Sequence, residues 1–317
     1  MNSTGQSGNK AETDQSAVGF YLYALQGLAL TISNGLIVST VMRHRELRSK
    51  KEYCIVAALS FADLWYALGC LTAGVYRSYL VHTDQAQMLV TAWHCVLVAH
   101  NIFFMTGGIL SAGMLTCVSI DRLICVSFPL FYFGLNRSYS LKLAGIFYVF
   151  AFGFSGLNTV LAYFLPRVPK HWAICWTGAA MSSQSYRETE PVLCLGLAYL
   201  SVVLYVLVLV IYRKHQASVQ PFVAVREREK QLKLVKTVGL SVVFTFLFLI
   251  VGQHASYLVI CCVEPQYEWL AWPVIVGYKN LNSFVNVFLF SIRHEDIRLG
   301  LKLLIQGKTF PQPDSSQ

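Results

Sequence analysis

Seven long apolar stretches divide the chain, and polar segments separate them. Each stretch holds roughly 20 residues or more, the number that an α-helix needs to cross the hydrocarbon of a bilayer. None shows the short alternation of apolar and polar positions that is typical of a barrel strand. The pattern predicts an all-α fold, a bundle of seven transmembrane helices within residues 18–306. The stretches are residues 18–42, 53–75, 94–121, 140–165, 191–212, 234–262 and 270–292.

The two ends of the chain are polar. Residues 1–17 show no pattern of a removable signal peptide, so we expect a disordered extracellular segment, and residues 307–317 are expected to form a disordered cytoplasmic tail. Asn2 begins an Asn-Ser-Thr triplet, a glycosylation acceptor whose use the sequence leaves open. Residues 294–305 alternate apolar and basic positions at helical spacing, which predicts a short amphipathic helix lying on the inner leaflet.

Composition and charge agree with a membrane protein. The chain is 55% hydrophobic and 13% charged, whereas about 25% of the residues of a soluble domain are charged. The basic residues cluster in alternate loops, at residues 43–51, 213–236 and 293–308. The positive-inside rule therefore places the N-terminus outside and the C-terminus in the cytoplasm. This distribution indicates a lipid bilayer as the partner and argues against a nucleic acid, despite the net charge of +9.

Two of the nine cysteines differ from the rest. Most lie in apolar stretches, where a cysteine acts as a small apolar side chain. Cys95 and Cys175 instead belong to the oxidising exterior. A bridge between them would strap the long loop 166–190 over the outer opening of the bundle.

Polar side chains inside the apolar stretches are costly, so we expect them to face the bundle interior. Asp63 is the deepest acid, and it requires a counter-ion, a water cluster or a neutral state. Other predicted helices carry side chains that could complete such a cluster: Asn34, Ser111, Asn282, Ser283 and Asn286.

Four motifs occur in order along the chain: "NGLIV" (34–38), "LSFADL" (59–64), "SIDRL" with "FPLFY" (119–132) and "NSFVNVFLFSIRHEDIR" (282–298). Together they resemble the rhodopsin-like (class A) G-protein-coupled receptors. Within that class, "IDRLICVSFPLFYFGLN" is most similar to the nematode serpentine chemoreceptor group Srsx.

The resemblance implies roles for residues at the inner ends of the helices. Asp121 and Arg122 would form the conformational switch, and the alternative is that Arg122 only anchors the helix at the interface. The G protein would be contacted by Arg122, the loop Pro129 to Arg137 and the basic run 226–236. Asp63 and its polar neighbours would form the family's sodium and water pocket.

The chain also departs from the family. The proline and tyrosine that usually follow Asn286 in the seventh helix are replaced, and Phe290 takes the tyrosine position. The sixth predicted helix has no proline, so the usual cause of its kink is missing.

The resemblance implies a ligand pocket in the outer half of the bundle. No acid occurs between Asn101 and Gly108, where amine receptors of this class carry an Asp, so a monoamine is not expected. Lys279 is the one cation expected in this pocket, and the neighbouring outer helix halves are expected to carry no acid. A buried lysine without an acidic partner favours an anionic or carbonyl-bearing ligand. The alternative is that the Lys279 side chain reaches outward to water. Opsins of this class attach retinal to a Lys six residues before the Asn of the seventh-helix motif. Lys279 lies seven residues before Asn286, so we do not expect a retinal-binding opsin. The predicted pocket comprises Asn101, Phe104, Met105, Gly108, Phe248, Gln253, Tyr257, Trp272, Tyr278 and Lys279.

The predicted function is that of a plasma-membrane receptor coupling an extracellular small molecule or peptide to a heterotrimeric G protein, with a chemosensory role as one option. The sequence shows neither a nucleophile with a base and a third residue nor a set of metal ligands, so we do not expect an enzyme. No cofactor is expected except a sodium ion at Asp63. The alternative is an ion- or proton-coupled transporter using Asp63 and Lys279, but the chain lacks the repeat symmetry of such proteins.

Overall fold

The computed structural model describes residues 4–218, 240, 243–262 and 268–308. For residues 4–16, 215–218, 257, 259–261, 268–270, 272 and 293 it describes the backbone only. Asn2, the basic run 226–236 and residues 309–317 therefore lie outside the described residues.

Seven helices follow the predicted spans, and an eighth follows the predicted amphipathic segment, so the predicted fold class is confirmed. Within the described part of the sixth span, a π-helix, Thr245–Ile250, continues directly into an α-helix, Val251–Cys262. The helices are α1 (Thr4–Arg43), α2 (Lys51–His82), α3 (Ala99–Ser127), α4 (Arg137–Tyr163), α5 (Gln184–Ser218), α6 (Val251–Cys262), α7 (Glu268–Arg293) and α8 (Glu295–Ile305).

Short elements connect these helices. On the inner side they are the helices Arg45–Ser49 and Pro129–Gly134. On the outer side they are the helix Ala92–Leu97, a 3₁₀ turn at Thr177–Ala180 and two short strands, β1 (Leu89–Val90) and β2 (His171–Trp172). The strands pair antiparallel, with Leu89 opposite Trp172 and Val90 opposite His171.

Five described helical segments are long and apolar enough to cross a membrane. In the sixth span the described apolar helix is shorter, Thr245–Ser256, because most of its predicted inner part lies outside the described residues. The five segments are Ala17–Arg43, Lys51–His82, Ala99–Ser127, Arg137–Tyr163 and Gln184–Lys214.

Helices α1 and α2 pack in close contact through two glycines. A Cβ at Gly27 would collide with the backbone of Leu71, and a Cβ at Gly74 would collide with the backbone of Ala24. Small residues let membrane helices approach closely and gain van der Waals contact. The largest buried apolar cluster lies inward of this contact and includes Ile37, Val41, Leu59, Ile109, Leu110 and Met114.

Three helix ends differ from the predicted boundaries. Helix α1 begins at Thr4, inside the segment predicted to be disordered, and that segment contains no proline to stop a helix. Helix α2 continues past residue 75 to His82, and α5 begins at Gln184, before residue 191. Pro191 lies inside α5, where its missing N–H leaves the carbonyl of Arg187 without its usual helical partner.

Candidate functional site

A cavity of about 530 Å³ opens in the outer half of the bundle and extends inward to Asp63. Aromatic and aliphatic side chains form most of its wall, with a few charged and amide groups among them. The lining includes Tyr23, Asp63, Tyr66, Arg77, Phe104, Gly108, Ser111, Trp176, Arg187, Glu190, Cys194, Gln253, Lys279, Asn280, Asn282 and Ser283.

The loop between α4 and α5 covers the mouth of this cavity. A disulfide joins Cys95 to Cys175, with the two Cα atoms 5.1 Å apart, so the predicted bridge is confirmed. The β1–β2 pairing holds the same loop on the preceding outer segment. Because Trp176 follows Cys175 directly, the bridge places an aromatic side chain in the cavity wall.

Buried polar side chains reinforce the bridge. Asn101 donates hydrogen bonds to the carbonyls of Cys95 (2.8 Å) and Cys175 (3.1 Å). The Nε2 atom of His100 also lies 3.1 Å from the Cys175 carbonyl. Both side chains are fully buried. The structure thus places Asn101, a predicted ligand residue, at the attachment of the outer loop instead of in the cavity wall.

Arg77 is a cavity residue that the sequence assigned to an outer loop. It is 2% exposed, because α2 extends beyond the predicted end. Its guanidinium donates to the carbonyls of Ile174 (3.0 Å) and Cys175 (3.2 Å) and lies 4.4 Å from the ring centroid of Trp176. A sequence pattern could have revealed this position. The small residues Ala73 and Gly74 lie four and three residues before Arg77, so the buried face of α2 continues to Arg77 at helical spacing.

Four predicted ligand residues line the cavity together: Phe104, Gly108, Gln253 and Lys279. The ammonium group of Lys279 donates a hydrogen bond of 2.6 Å to Oε1 of Gln253. This contact holds the cation inside the cavity, whereas the sequence had left open that Lys279 reaches outward to water.

Three other predicted ligand residues do not line the cavity: Met105, Phe248 and Tyr278. Met105 is buried beneath the outer loop and lies 3.7 Å from the side-chain amide of Asn158. Phe248 stacks on Phe244, and the hydroxyl of Tyr278 donates to the carbonyl of Leu247 (2.9 Å). The side chains of Tyr257 and Trp272 lie outside the described residues.

Glu190 is an acid that the sequence reasoning missed. The sequence predicted no acid in the outer helix halves, and this prediction is wrong because α5 begins before Glu190. The Glu190 carboxylate lines the cavity and accepts a hydrogen bond of 3.3 Å from the Cys194 thiol. Proline is common in the first turn of a helix, so the sequence predicted that the fifth helix begins at Pro191. The helix in fact begins about two turns earlier, at Gln184.

The deep end of the cavity gathers the predicted polar cluster. Asn34 donates to the hydroxyl of Ser283 (3.0 Å), and Asp63, Ser111 and Asn282 line the same end of the cavity. Among the described residues at this end, the buried atoms Asp63 Oδ2, Ser111 Oγ and Asn34 Oδ1 make no hydrogen bond of good geometry. Asn286, the remaining predicted member, is buried on α7, and neither polar atom of its side chain is hydrogen-bonded to a described residue. A carboxylate with hydroxyl and amide oxygens is a donor set that fits a hard cation and its waters.

At the inner end of α3, Asp121 forms an ion pair with Arg122. Arg122 is 5% exposed and Asp121 is fully buried. The hydroxyl of Tyr132, on the short helix that begins at Pro129, donates to Asp121 Oδ2 (3.2 Å) and accepts from Arg122 (3.4 Å). Burial raises the pKa of Tyr132 above its usual value, so the hydroxyl keeps its proton.

Lys51 ties this short helix to the start of α2. Its ammonium group donates to the carbonyls of Tyr132 and Leu135 and lies 3.8 Å from the ring centroid of Tyr132. A cation at the carbonyl end of a helix is favourable.

Helix α8 is attached to the inner loop between α1 and α2. Asp296 accepts hydrogen bonds from Lys50 (2.6 Å) and from the hydroxyl of Tyr53 (2.9 Å). The Lys50 hydrogen bond holds the pKa of Asp296 below its ordinary value. His44 also lies 3.2 Å from the carbonyl of Gly300. These contacts fix the start of α8 beside the bundle.

Comparison with known proteins agrees with this architecture. Residues 33–290 match the sequence model of the 7 transmembrane receptor (rhodopsin family). The mouse olfactory receptor 7A42 is 21% identical over 295 residues, which covers 91% of each chain. The human olfactory receptor 10G7 is 21% identical over 290 residues, 89% of this chain and 88% of its own. The octopamine receptor beta-3R of Drosophila melanogaster is 30% identical over 132 residues, 39% of this chain and 10% of its own length.

Proposed function

The chain belongs to the rhodopsin family of seven-transmembrane receptors, and from this premise we propose that it is a chemosensory receptor for a small molecule bound in the outer cavity. As a G-protein-coupled receptor it is a multi-pass plasma-membrane protein that signals to a G protein, and its family consists of receptors, not enzymes. The names of its olfactory relatives support the chemosensory part of the proposal.

The observation that carries this proposal is the cavity beneath the strapped outer loop. Its volume of about 530 Å³ lies within the roughly 300–1,000 Å³ of small-molecule sites. Trp176, next to the Cys95–Cys175 bridge, forms part of the cavity wall, and a cavity of this volume suits a small molecule better than a peptide. Aromatic walls with a few polar groups are typical of sites that recognise small organic compounds.

The signal passes to the inner end through the Asp121–Arg122 pair. Ligand binding shifts the population toward the form in which Arg122 leaves Asp121 and contacts the G protein. The short helix from Pro129 contributes to the same surface. Asp63, Ser111 and Ser283 would hold a sodium ion with its waters, and such an ion would supply the positive charge that favours the inactive form.

Two finer assignments belong to the same proposal. The N-terminus lies outside the cell and the C-terminus in the cytoplasm, as the distribution of basic loops supports. The receptor falls within the nematode Srsx chemoreceptor group, on the strength of the segment that begins at Ile120 and runs through the "FPLFY" motif.

The test is ligand-dependent nucleotide exchange. The purified receptor is reconstituted with a heterotrimeric G protein and screened against a broad panel of small water-soluble and volatile compounds. We expect at least one compound to raise the exchange rate above the basal rate. The Trp176→Ala and Phe104→Ala variants, which open the cavity wall, should weaken that response.

The transporter alternative is examined with the same protein. Receptor in proteoliposomes without G protein should show no electrogenic ion flux. A compound-driven flux, with no compound that stimulates nucleotide exchange, would contradict the proposed function.

A further inference from the structure

An acid and a base occupy different walls of the outer cavity. Glu190 belongs to the wall formed by α3 and α5, where its Oε1 lies 2.9 Å from the position that a Cβ on Gly108 would take. Lys279 belongs to the wall formed by α6 and α7, where its Cγ lies 2.6 Å from the corresponding position on Gly252. Each charged side chain therefore fills the space that a glycine on the neighbouring helix leaves.

These two side chains do not pair with each other. Within the described part of the chain, the ion pairs with N···O within 4.0 Å are Lys50–Asp296 and Asp121–Arg122. Glu190 has a thiol as its partner and Lys279 has a neutral amide. Glu190 and Lys279 attract each other across the cavity, but neither forms a hydrogen bond with an oppositely charged group. A charge taken out of water is costly unless such a contact compensates it, so each group can still gain a charged partner.

The other cavity cations do not compensate Glu190. The Arg77 guanidinium is already bonded to two loop carbonyls and stacked on Trp176. Arg187 lies at the exposed mouth of the cavity. Asp63, the other acid in the lining, belongs to the deep polar cluster with Ser111 and Ser283.

We propose that the ligand of this receptor is a small zwitterion, with a primary ammonium group that binds Glu190 and a carboxylate that binds Lys279. This inference rests on the proposed function, because it concerns the same cavity. A neutral ligand would leave both charges unpaired, and a simple acid or amine would leave one of them. Charge-assisted hydrogen bonds to both walls satisfy the two groups at once.

An apolar group on the ligand completes the fit. Tyr66 and Phe104 stand in contact in the cavity wall, with ring centroids 5.2 Å apart. An amino acid with an apolar or aromatic side chain thus has an ammonium group for Glu190, a carboxylate for Lys279 and an apolar group for Tyr66 and Phe104.

The experiment compares matched sets of probes on the full chain in lipid nanodiscs. One set is phenylalanine, 3-phenylpropanoate, 2-phenylethylamine and 2-phenylethanol. A second set is leucine with its acid, amine and alcohol analogues, and a third set is ω-amino acids of increasing length. The thermal shift of the receptor and the exchange rate of added G protein are measured for each compound.

We expect zwitterions to bind best. The apparent affinity of the best zwitterion should exceed that of its acid, amine and alcohol analogues by at least about tenfold, the effect of one lost charged hydrogen bond. Glu190→Gln should let the matched acid bind as tightly as the zwitterion, and Lys279→Gln should do the same for the matched amine.

Matched controls separate this selectivity from a general loss of charge. Glu188→Gln removes an exposed acid from the same helix, and Lys170→Gln removes an exposed cation from the outer loop, so both should keep the wild-type ranking. A cavity variant that fails to fold is recognised by its low expression and basal exchange. In that case the ranking of zwitterion, acid, amine and alcohol on the wild-type chain still decides whether the zwitterion inference is correct.

Other outcomes are informative in different ways. Stimulation by acids, amines or alcohols alone would overturn the zwitterion inference and leave the proposed function standing. Stimulation by unrelated compounds of the broad panel, with no response to any zwitterion, would have the same meaning. No stimulation by any compound of either panel would overturn both.

Discussion

At the scale of single residues, Arg122 is more enclosed than an interfacial anchor needs to be. An arginine that only reaches the membrane surface keeps its guanidinium in water, whereas Arg122 is 5% exposed and contacts both Asp121 and Tyr132. One terminal nitrogen of the guanidinium makes both contacts, and the other terminal nitrogen is buried without a hydrogen-bond partner among the described residues. That free nitrogen leaves a donor that a compact ammonium group cannot supply at the same place. This geometry favours the switch interpretation over the anchor.

We therefore predict that Arg122→Lys lowers ligand-stimulated nucleotide exchange by about tenfold or more, as expected for the loss of a charged hydrogen bond that an ammonium group cannot replace. Asp121→Asn should raise basal exchange, because it removes the charge that holds Arg122 in place. The exposed Arg298→Lys serves as the control for the loss of a guanidinium. Unchanged signalling from Arg122→Lys at equal surface expression would leave Arg122 as an anchor.

At the scale of elements, the sequence predicts the number and order of helices better than their ends. Hydropathy identifies a helix by its apolar length, so charged residues one or two turns beyond the apolar stretch are assigned to loops. Arg77 and Glu190 were both assigned in this way, and both line the cavity. In contrast, Asp63 and Ser283 are polar residues inside apolar stretches, and the sequence predicted their inward orientation from the cost of exposing them to lipid.

The outer loop depends on its covalent attachment. Removing the Cys95–Cys175 bridge, which spans 80 residues, releases chain entropy in the unfolded state worth up to about 4 kcal/mol. We predict that Cys95→Ser and Cys175→Ser each lower the surface expression and the melting temperature of the receptor.

The double variant should be no worse than either single variant, because each single variant already breaks the same bond. Cys262→Ser, which removes an exposed free thiol, is the control. Two free thiols at residues 95 and 175, found by mass spectrometry of the non-reduced wild type, would refute the bridge.

At the scale of the whole molecule, one cavity connects the outer loop with the deep polar cluster. Glu190 and Lys279 line its outer part, and Asp63 and Ser283 line its deep end. Asn282, beside Ser283, accepts a hydrogen bond of 3.2 Å from Thr245 in the π-helical segment of the sixth span. A π-helical turn is a common site of adjustment within a helix. Helices α2, α3 and α7 and the sixth span therefore meet where an ion would bind.

This connection predicts that sodium and ligand oppose each other. If sodium at Asp63 favours the inactive form and the outer ligand favours the active form, each must weaken the binding of the other by the same factor. We expect the apparent affinity of a stimulating ligand to fall by roughly fivefold or more as potassium is replaced by sodium at constant ionic strength, the lower end of typical allosteric couplings.

Asp63→Asn should abolish this dependence, because it removes the carboxylate that binds the ion. Asp84→Asn, in an exposed outer turn, should retain it. An affinity that stays constant across the sodium series in the wild type would rule out a coupled sodium site, without touching the assignment of the fold.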